Sequence, residues 1–160
     1  MDAADVDIDQ AGLELIAGFE GFVAHPYRDV VGVLTIGYGH VILPGESFPA
    51  PISKQDGLDL LHLDAAKAVH CVRDHVQVDL NQNQTNALVS LTFNIGAGAF
   101  ASSTLLRLLN QGNYECAARQ FPAWCIAGGK QNFVLLKRRQ KEAAVFLAPP
   151  PPPTNPEPVA

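Results

Sequence analysis

The spacing of apolar residues near the start of the chain predicts an amphipathic helix. Between residues 13 and 20, apolar side chains recur at the i, i+3, i+4 spacing of one helical face, and Glu20 occupies the i+7 position of that face. Asp9 stands where its side chain can cap the helix, and Gly21 follows where the helix would end. We therefore expect Glu20 to lie on the apolar face, close to the C-terminal end of the helix.

The pattern then changes to the period of a β-strand. His25-Pro26 interrupts the helical sequence, and residues 33–38 alternate with a period of two. Gly37 and Gly39 fall in this segment, where a glycine indicates a bulge or a close approach of backbones. The segment between residues 24 and 42 therefore predicts a small sheet.

Helical sequence returns after a loop that is rich in proline and glycine, residues 44–51. It begins at Ser53 and carries one apolar stripe, which consists of Leu58, Leu61, Ala65, Ala68 and Val72. Further helices are predicted to open at Asn81 or Asn83, at Ser102 or Ser103, and at Asn113, and a last one to span residues 133–147. This order predicts an α+β fold, in which a small helix-plus-antiparallel-sheet lobe joins a larger all-α lobe across a ligand cleft.

The length and composition indicate one folded unit with two unusual ends. The chain has 160 residues, of which 48% are hydrophobic, enough for one core and too short for two ordinary domains. Residues 1–9 form an acidic lead, and residues 148–160 contain five consecutive prolines and predict an extended tail. We therefore assign residues 10–147 to the domain that carries the function.

Charge and hydropathy exclude several classes of protein. The net charge is −5, and residues 10–106 carry four basic against nine acidic side chains, whereas residues 107–147 carry seven against two. Such polarity suits orientation on an anionic polymer, but no basic run is interleaved with aromatic residues, so nucleic acid is not an expected partner. No apolar run approaches the roughly 18 residues that span a bilayer, so stable membrane insertion is not expected. The first residues lack a signal-peptide pattern, which predicts accumulation in a cytoplasm.

The cysteines do not indicate a disulfide framework or a metal site. Cys71, Cys116 and Cys125 are odd in number and widely spaced, which matches neither pattern. We expect them to be small buried or half-buried thiols.

Two carboxylates flank the transition from helix to sheet. Glu20 stands at the predicted helix end, and Asp29 follows nine residues later in the turn before the strand. Glycoside hydrolysis requires a proton donor on one side of the scissile bond and a carboxylate on the other. An acid on an apolar helix face is a good donor, because desolvation favours its protonated form. Spacing alone, however, favours an ordinary helix-end residue and an ordinary turn residue, since acidic pairs at such distances are common.

The residues around the two acids resemble the catalytic signature of phage-type lysozymes, the endolysins of glycoside hydrolase family 24. Residues 15–22 read LIAGFEGF, residues 27–29 read YRD, and residues 32–40 read GVLTIGYGH. The family pattern is a Glu, an Asp or Cys nine residues later, and a Thr six residues after that, leading into T-I-G-x-G-H. Glu20, Asp29 and Thr35 stand at those positions.

The resemblance continues in order to residue 147. Residues 84–96 resemble the family's Q-x-x-A-L-x-S and F-N-x-G helix, and residues 103–112 resemble its S-T-L-L and L-N-x-G segment. Residues 121–130, followed by Arg138, Arg139 and Glu142, resemble its F-x-x-W, A-G-G-K and R-R-x-x-E ending. One departure is Val134-Leu135, where the family usually has Gly-Leu. This difference puts in question the local backbone turn and the direction in which the two arginine side chains point. Collinear motifs are more specific than any single one.

The resemblance implies a two-lobed lysozyme-like fold and a role for each signature residue. Glu20 would be the general acid, and Asp29 with Thr35 would hold the attacking water on the opposite face of the sugar, which gives inversion. The implied substrate is peptidoglycan, cut between N-acetylmuramic acid and N-acetylglucosamine. No cofactor and no metal are implied.

Further residues take roles through the same resemblance. Arg138 or Arg139 would pair with Glu20 in the free enzyme, although each is as well explained singly as part of a solvated basic face. His40 would tie the lobes together by pairing with Asp64, as a structural residue and not as a base.

Two consecutive residues match positions that face the cleft in the family. Phe93 and Asn94 would contact the sugar, although core packing explains Phe93 better than Asn94.

Three other functions stay open at this stage. A lytic transglycosylase cleaves the same bond but needs no pair of residues to activate water, so the presence of Asp29 and Thr35 favours hydrolysis. A non-catalytic wall-binding module and a chitin-directed hydrolase are the other two alternatives. We expect a monomer that is made in the host cytoplasm and acts on peptidoglycan in the periplasm or cell wall. It would be released through a holin pore or by a dedicated secretion system.

Overall fold

The computed structural model of the chain describes residues 5–150 and residue 152. The expectations for residues 1–4 of the acidic lead, and for residues 151 and 153–160 of the Pro-rich tail, lie outside the described residues. Within the described part the chain forms α-helices at α1 (Gln10–Glu20), α2 (Lys54–Asp64), α3 (Ala66–His75), α4 (Gln82–Ile95), α5 (Ala97–Ala101), α6 (Thr104–Asn110), α7 (Tyr114–Ala118) and α8 (Phe133–Leu147). Its strands are β1 (Val23–Arg28), β2 (Leu34–Gly37), β3 (His40–Val41), β4 (Ile126–Ala127) and β5 (Lys130–Gln131).

The first three strands form an antiparallel sheet in the order β1-β2-β3. Tyr27 pairs with Thr35, and Thr35 in turn pairs with Val41 of β3, so Thr35 lies on the central strand. The pairing of β1 with β2 is irregular between Val23 and Tyr27. Pro26 falls in this irregular stretch of an edge strand, where its missing N–H removes no ladder hydrogen bond that the sheet needs.

The core of the molecule surrounds helix α4. Its residues from 85 to 92 are all buried, and α4 packs against α8, α3 and α1. Helix α2 packs on strands β2 and β3 and so provides the helix of the sheet lobe. The approach is close because α2 carries Gly57: a Cβ there would meet the rings of Phe22 and Tyr38 at 3.0 Å. The prediction of an α+β fold with a small antiparallel sheet and a larger helical part is confirmed.

The helix starts agree with the capping residues that the sequence indicates. Asp9, Asn81, Ser103 and Asn113 each accept a hydrogen bond from a backbone N–H of the first turn, so the alternatives Asn83 and Ser102 are excluded as caps. The apolar stripe that begins after Ser53 is buried as predicted, but it is divided between α2 and α3.

Two elements were not predicted from the sequence. Helix α5 has only five residues, and the β4–β5 hairpin has two residues on each strand, so neither is long enough to show a hydrophobic period.

Candidate active site

Glu20 is the last residue of α1 and is more accessible than its helical phase predicts. The helix ends because Gly21 adopts a φ of 73°, which favours glycine, and its N–H caps the carbonyl of Ala17. The Glu20 side chain is 30% exposed. The expectation of a desolvated carboxyl on the apolar face is therefore wrong, because the helix terminates before a further turn could cover it.

Two elements from distant parts of the chain approach the Glu20 carboxylate. Its Oε1 accepts a hydrogen bond from Nη1 of Arg138 at 3.1 Å. Its Oε2 lies beside the turn between β2 and β3, where a Cβ on Gly39 would stand 3.8 Å from it. Gly39 has a φ of 86°, a conformation that a residue with a side chain rarely adopts. The Glu20 carboxylate therefore lies between the sheet and helix α8.

Asp29 lies just after β1 in the hairpin that leads to β2. Its Oδ1 accepts the backbone N–H groups of Val31 at 3.0 Å and Val33 at 2.8 Å. No described residue donates a hydrogen bond to its Oδ2. One carboxylate oxygen is thus fixed by the hairpin backbone, and the other is available for hydrogen bonding.

Thr35 is held by the same peptide group that holds Asp29. The Thr35 hydroxyl donates to the carbonyl oxygen of Val33 at 2.9 Å, and the backbone N–H of Asp29 donates to that same oxygen, also at 2.9 Å. The Thr35 side chain is buried, with the residue 4% exposed. Because its proton is engaged with Val33, the hydroxyl oxygen keeps its lone pairs for another donor.

Of the two candidate arginines, Arg138 contacts Glu20 and Arg139 does not. The Arg138 side chain is 8% exposed, and its guanidinium lies 4.5 Å from the centre of the Phe19 ring. Arg139 is fully buried and donates instead to the carbonyl of Trp124, to Asn94 and to Glu142. The alternative of a solvated basic face is wrong for both. The Val134-Leu135 departure causes no break, because both residues lie in the first turns of continuous α8.

Burial shifts the pKa values of the two fully buried charged residues, Glu142 and Arg139. Burial raises the pKa of the Glu142 carboxyl, although the guanidinium groups of Arg139 and Arg138 oppose the rise. Burial likewise lowers the pKa of Arg139, against the opposing charge of Glu142. Sequence reasoning matched Glu142 only as part of a motif and gave it no role.

His40 pairs with Asp64, and the structure adds a partner that the sequence did not indicate. The ring Nδ1 lies 2.9 Å from Asp64, and the ring Nε2 lies 2.9 Å from Glu46 in the loop before α2. Burial disfavours the charged ring, but the hydrogen bonds to Glu46 and Asp64 outweigh burial and raise the pKa of His40 above its ordinary value. Glu46 shows no periodicity or motif that could have singled it out.

Phe93 and Asn94 are consecutive but face different cavities. Phe93 is half-buried against the core and borders a small cavity near Asp64. Asn94 is exposed and borders a cleft of about 500 Å³, together with Trp124, Ile126 of β4 and Leu135 of α8. The structure therefore separates the two predicted sugar contacts.

Neither a metal-binding cluster nor a membrane-spanning helix is found within the described part of the chain. No group of three or more His, Cys, Asp or Glu side chains there could hold a metal ion. No helix in the described ranges is long and apolar enough to cross a membrane.

Known proteins resemble this chain in sequence and in structure. The family model described as Phage lysozyme matches residues 17–142. The endolysin of Salmonella phage P22 is 40% identical over 133 residues, which cover 81% of this chain and 91% of the relative. The SAR-endolysin of bacteriophage PS119 is 41% identical over 117 residues, which cover 71% of this chain and 68% of the relative.

Two solved structures superpose over most of the fold. A mutant of P22 lysozyme gives a TM-score of 0.82 at 39% identity, and the match covers 89% of this chain and 99% of that one. The muramidase domain of SpmX from Asticaccaulis excentricus gives a TM-score of 0.77 at 36% identity, with the same coverage.

The fold and the comparisons together define a glycoside hydrolase of the lysozyme type. The chain belongs to the phage lysozyme family.

Proposed function

We propose that the protein is a peptidoglycan muramidase. It hydrolyses the β-1,4 bond between N-acetylmuramic acid and N-acetylglucosamine with inversion at the anomeric carbon. The observation that supports this most is the common anchoring of Asp29 and Thr35 on the Val33 carbonyl. Together with the hydrogen bonds from Val31 and Val33 to Oδ1 of Asp29, that anchoring leaves one carboxylate oxygen and one hydroxyl oxygen free to hold a water molecule on the sheet side of the site.

Glu20 is the proton donor in this proposal. In its protonated form it transfers its proton to the glycosidic oxygen as the bond from that oxygen to the anomeric carbon breaks. Arg138 contacts the carboxyl group in the free enzyme and stabilises the carboxylate after the proton has left. The contact between Arg138 and Glu20 is therefore present in the resting enzyme and again just after the bond has been cleaved.

Asp29 and Thr35 act on the water. The free Oδ2 of Asp29 accepts one proton of the water, while the Thr35 oxygen accepts a hydrogen bond from the other O–H and orients it. The water oxygen attacks the anomeric carbon from the face opposite the leaving oxygen, and this attack inverts the configuration. Asp29 ends the step protonated and Glu20 ionised, so a proton must return before the next turnover.

Asn94 contributes to binding through a fixed orientation of its amide. Because Arg139 can only donate, its contact with Asn94 requires the amide oxygen to face Arg139. The Asn94 NH₂ group is then free to donate to a carbonyl oxygen of the substrate, such as that of an N-acetyl group. Phe93 borders a separate cavity near Asp64, from which it supplies apolar contact to another part of the substrate.

Product analysis tests the hydrolytic reaction against the alternatives. Purified peptidoglycan digested in H₂¹⁸O should yield muramic acid reducing ends that carry one ¹⁸O, and NMR during the first minutes should show the α-anomer before mutarotation. Products with a 1,6-anhydro ring would establish a transglycosylase instead. Binding to walls without any product would establish a binding module, and equal turnover of chitin oligomers would refute the muramidase specificity.

We also propose how the protein works in the cell. It acts as a monomer, and it reaches the wall by release from the cytoplasm, through a holin pore if the gene belongs to a phage. Lysis of an expressing culture only after a holin is co-expressed would support this route, and lysis without one would refute it.

A further inference from the structure

Helix α8 buries three charged residues within little more than one turn, beneath the candidate active site. Arg138, Arg139 and Glu142 are all buried, with Arg139 and Glu142 fully so. Helix α4, which packs against this face, contains no charged residue. Buried charges of this kind persist only when they compensate one another, since an isolated one is strongly destabilising.

Glu142 contacts both arginines, but in different ways. Its carboxylate accepts a hydrogen bond from Nη1 of Arg139, and its Oε1 lies 3.7 Å from Nε of Arg138. The remaining contacts of Arg139 go to Trp124 and Asn94, so this guanidinium is fully engaged. Arg138 differs, because its Nε and Nη2 are buried and have no hydrogen-bond partner among the described residues. Its charge is therefore shared between Glu142 below it and Glu20 above it.

We propose that Glu142 is a positioning residue that offsets the charge of the two arginines and thereby allows Glu20 to become protonated for catalysis. The proposal rests on the role of Glu20 as the acid. Glu142 does not touch the substrate, and it acts only through Arg138. With Glu142 ionised, the two arginines and Glu142 together carry one positive charge beside Glu20, and without it they carry two. The second positive charge would hold Glu20 in its ionised form, which has no proton to donate.

The surroundings of Glu142 contain few other charges that could replace it. Lys141 lies 5.8 Å from the Phe19 ring, and its charge is positive, so it cannot compensate the arginines. The thiol of Cys125 lies near Arg139. Helix α7 also packs on α8, but its Glu115 is 81% exposed and pairs with Arg119. Glu20 lies 3.1 Å from Nη1 of Arg138, and Glu142 lies 3.7 Å from Nε of the same guanidinium. The two carboxylates are therefore close enough for a substantial Coulomb interaction in a partly buried site.

The experiment measures the protonation of Glu20 directly and the activity separately. In the full chain labelled with ¹³C at the glutamate carboxyls, the Glu20 signal is assigned by its loss in Glu20→Gln. Its titration midpoint is compared in wild type, Glu142→Gln and the surface control Glu115→Gln. We expect Glu142→Gln to lower the midpoint by on the order of 0.5–1 pH unit and the control to leave it unchanged. The alkaline limb of the kcat/KM profile should move with the midpoint.

A second variant keeps the test decisive if Glu142→Gln does not fold. Arg139→Gln removes a positive charge from the same group, so it should move the Glu20 midpoint in the opposite direction, to higher pH. A midpoint that is unchanged in the folded variants would overturn the proposal, because a merely structural Glu142 would alter stability and not titration. A midpoint that moves while the alkaline limb stays in place would uphold the role of Glu142 and refute Glu20 as the acid.

Discussion

The contacts of His40 predict that the protein loses stability as the pH rises above neutrality. The His40 ring links the start of strand β3 to two carboxylates on other elements, Glu46 in the loop before α2 and Asp64 at the end of α2. Both hydrogen bonds are made best by the protonated ring, and they raise its pKa against the opposing effect of burial. A raised pKa in the folded state contributes stability that is fully present below the unfolded value of about 6.5 and is lost as the pH rises through the folded pKa.

The magnitude follows from the buried position of the ring. His40 is 7% exposed, so water replaces its hydrogen bonds poorly in the folded state. Hydrogen bonds to charged groups contribute about 1.5–3 kcal/mol, and we expect a pH-dependent loss toward the lower end of that range because the carboxylates themselves are partly solvated. Within the window between the two pKa values, the free energy of unfolding should fall by at most about 1.4 kcal/mol per pH unit.

Urea denaturation at several pH values between 5.5 and 9 measures this loss. The stability difference between wild type and His40→Gln should be largest at pH 5.5 and should shrink steadily toward pH 9. His62→Gln is the matched control, because His62 is 48% exposed and lies 3.3 Å from Asp7, so its substitution should change little. A difference that is independent of pH, or one that grows with pH, would refute the reasoning.

Three further predictions concern Asp29 in the candidate active site and the packing of helix α1. Asp29→Ala should lower kcat on purified peptidoglycan by about 10²–10⁴-fold while the urea midpoint stays near that of wild type, and a loss below tenfold would contradict its role. Gly12→Ala should destabilise the protein by about 1–3 kcal/mol in urea, because its Cβ would stand 2.5 Å from the side chains of Asn86 and Ile8. Gly18→Ala on the same helix meets no atom within 4 Å and should stabilise by about 0.5–1 kcal/mol, so equal effects of the two substitutions would be inconsistent with the packing.

Local features of the fold could be predicted from the sequence because local contacts determine them. The caps Asp9 and Asn113 bond to a backbone N–H three residues away, and such bonds depend on neighbouring residues alone. The apolar stripe after Ser53 is buried for the same reason, since helical periodicity specifies which residues share a face. The division of that stripe into two helices at Ala65 left no signal in the sequence.

The site was predicted less completely, because its contacts join residues far apart in the chain. Arg138 and Arg139 are adjacent in sequence, and only the rotation of α8 about its axis decides that Arg138 reaches Glu20, 118 residues away. The exposure of Glu20 depends on where α1 ends relative to α8, which helical phase does not specify. Glu46 contacts His40 from a loop, and Glu142 contacts the two arginines within a packed helix. The sequence around these two residues indicated no role for either of them.

The role of Glu20 as the proton donor is tested by comparing two substitutions on helix α1. The rate at which purified peptidoglycan releases reducing ends is measured for wild type, Glu20→Gln and Glu14→Gln, a matched substitution at an exposed position of the same helix. We predict that Glu20→Gln loses at least about 10²-fold in rate with the fold intact, while Glu14→Gln stays near wild type. A folded Glu20→Gln that cleaves peptidoglycan at close to the wild-type rate would contradict the account.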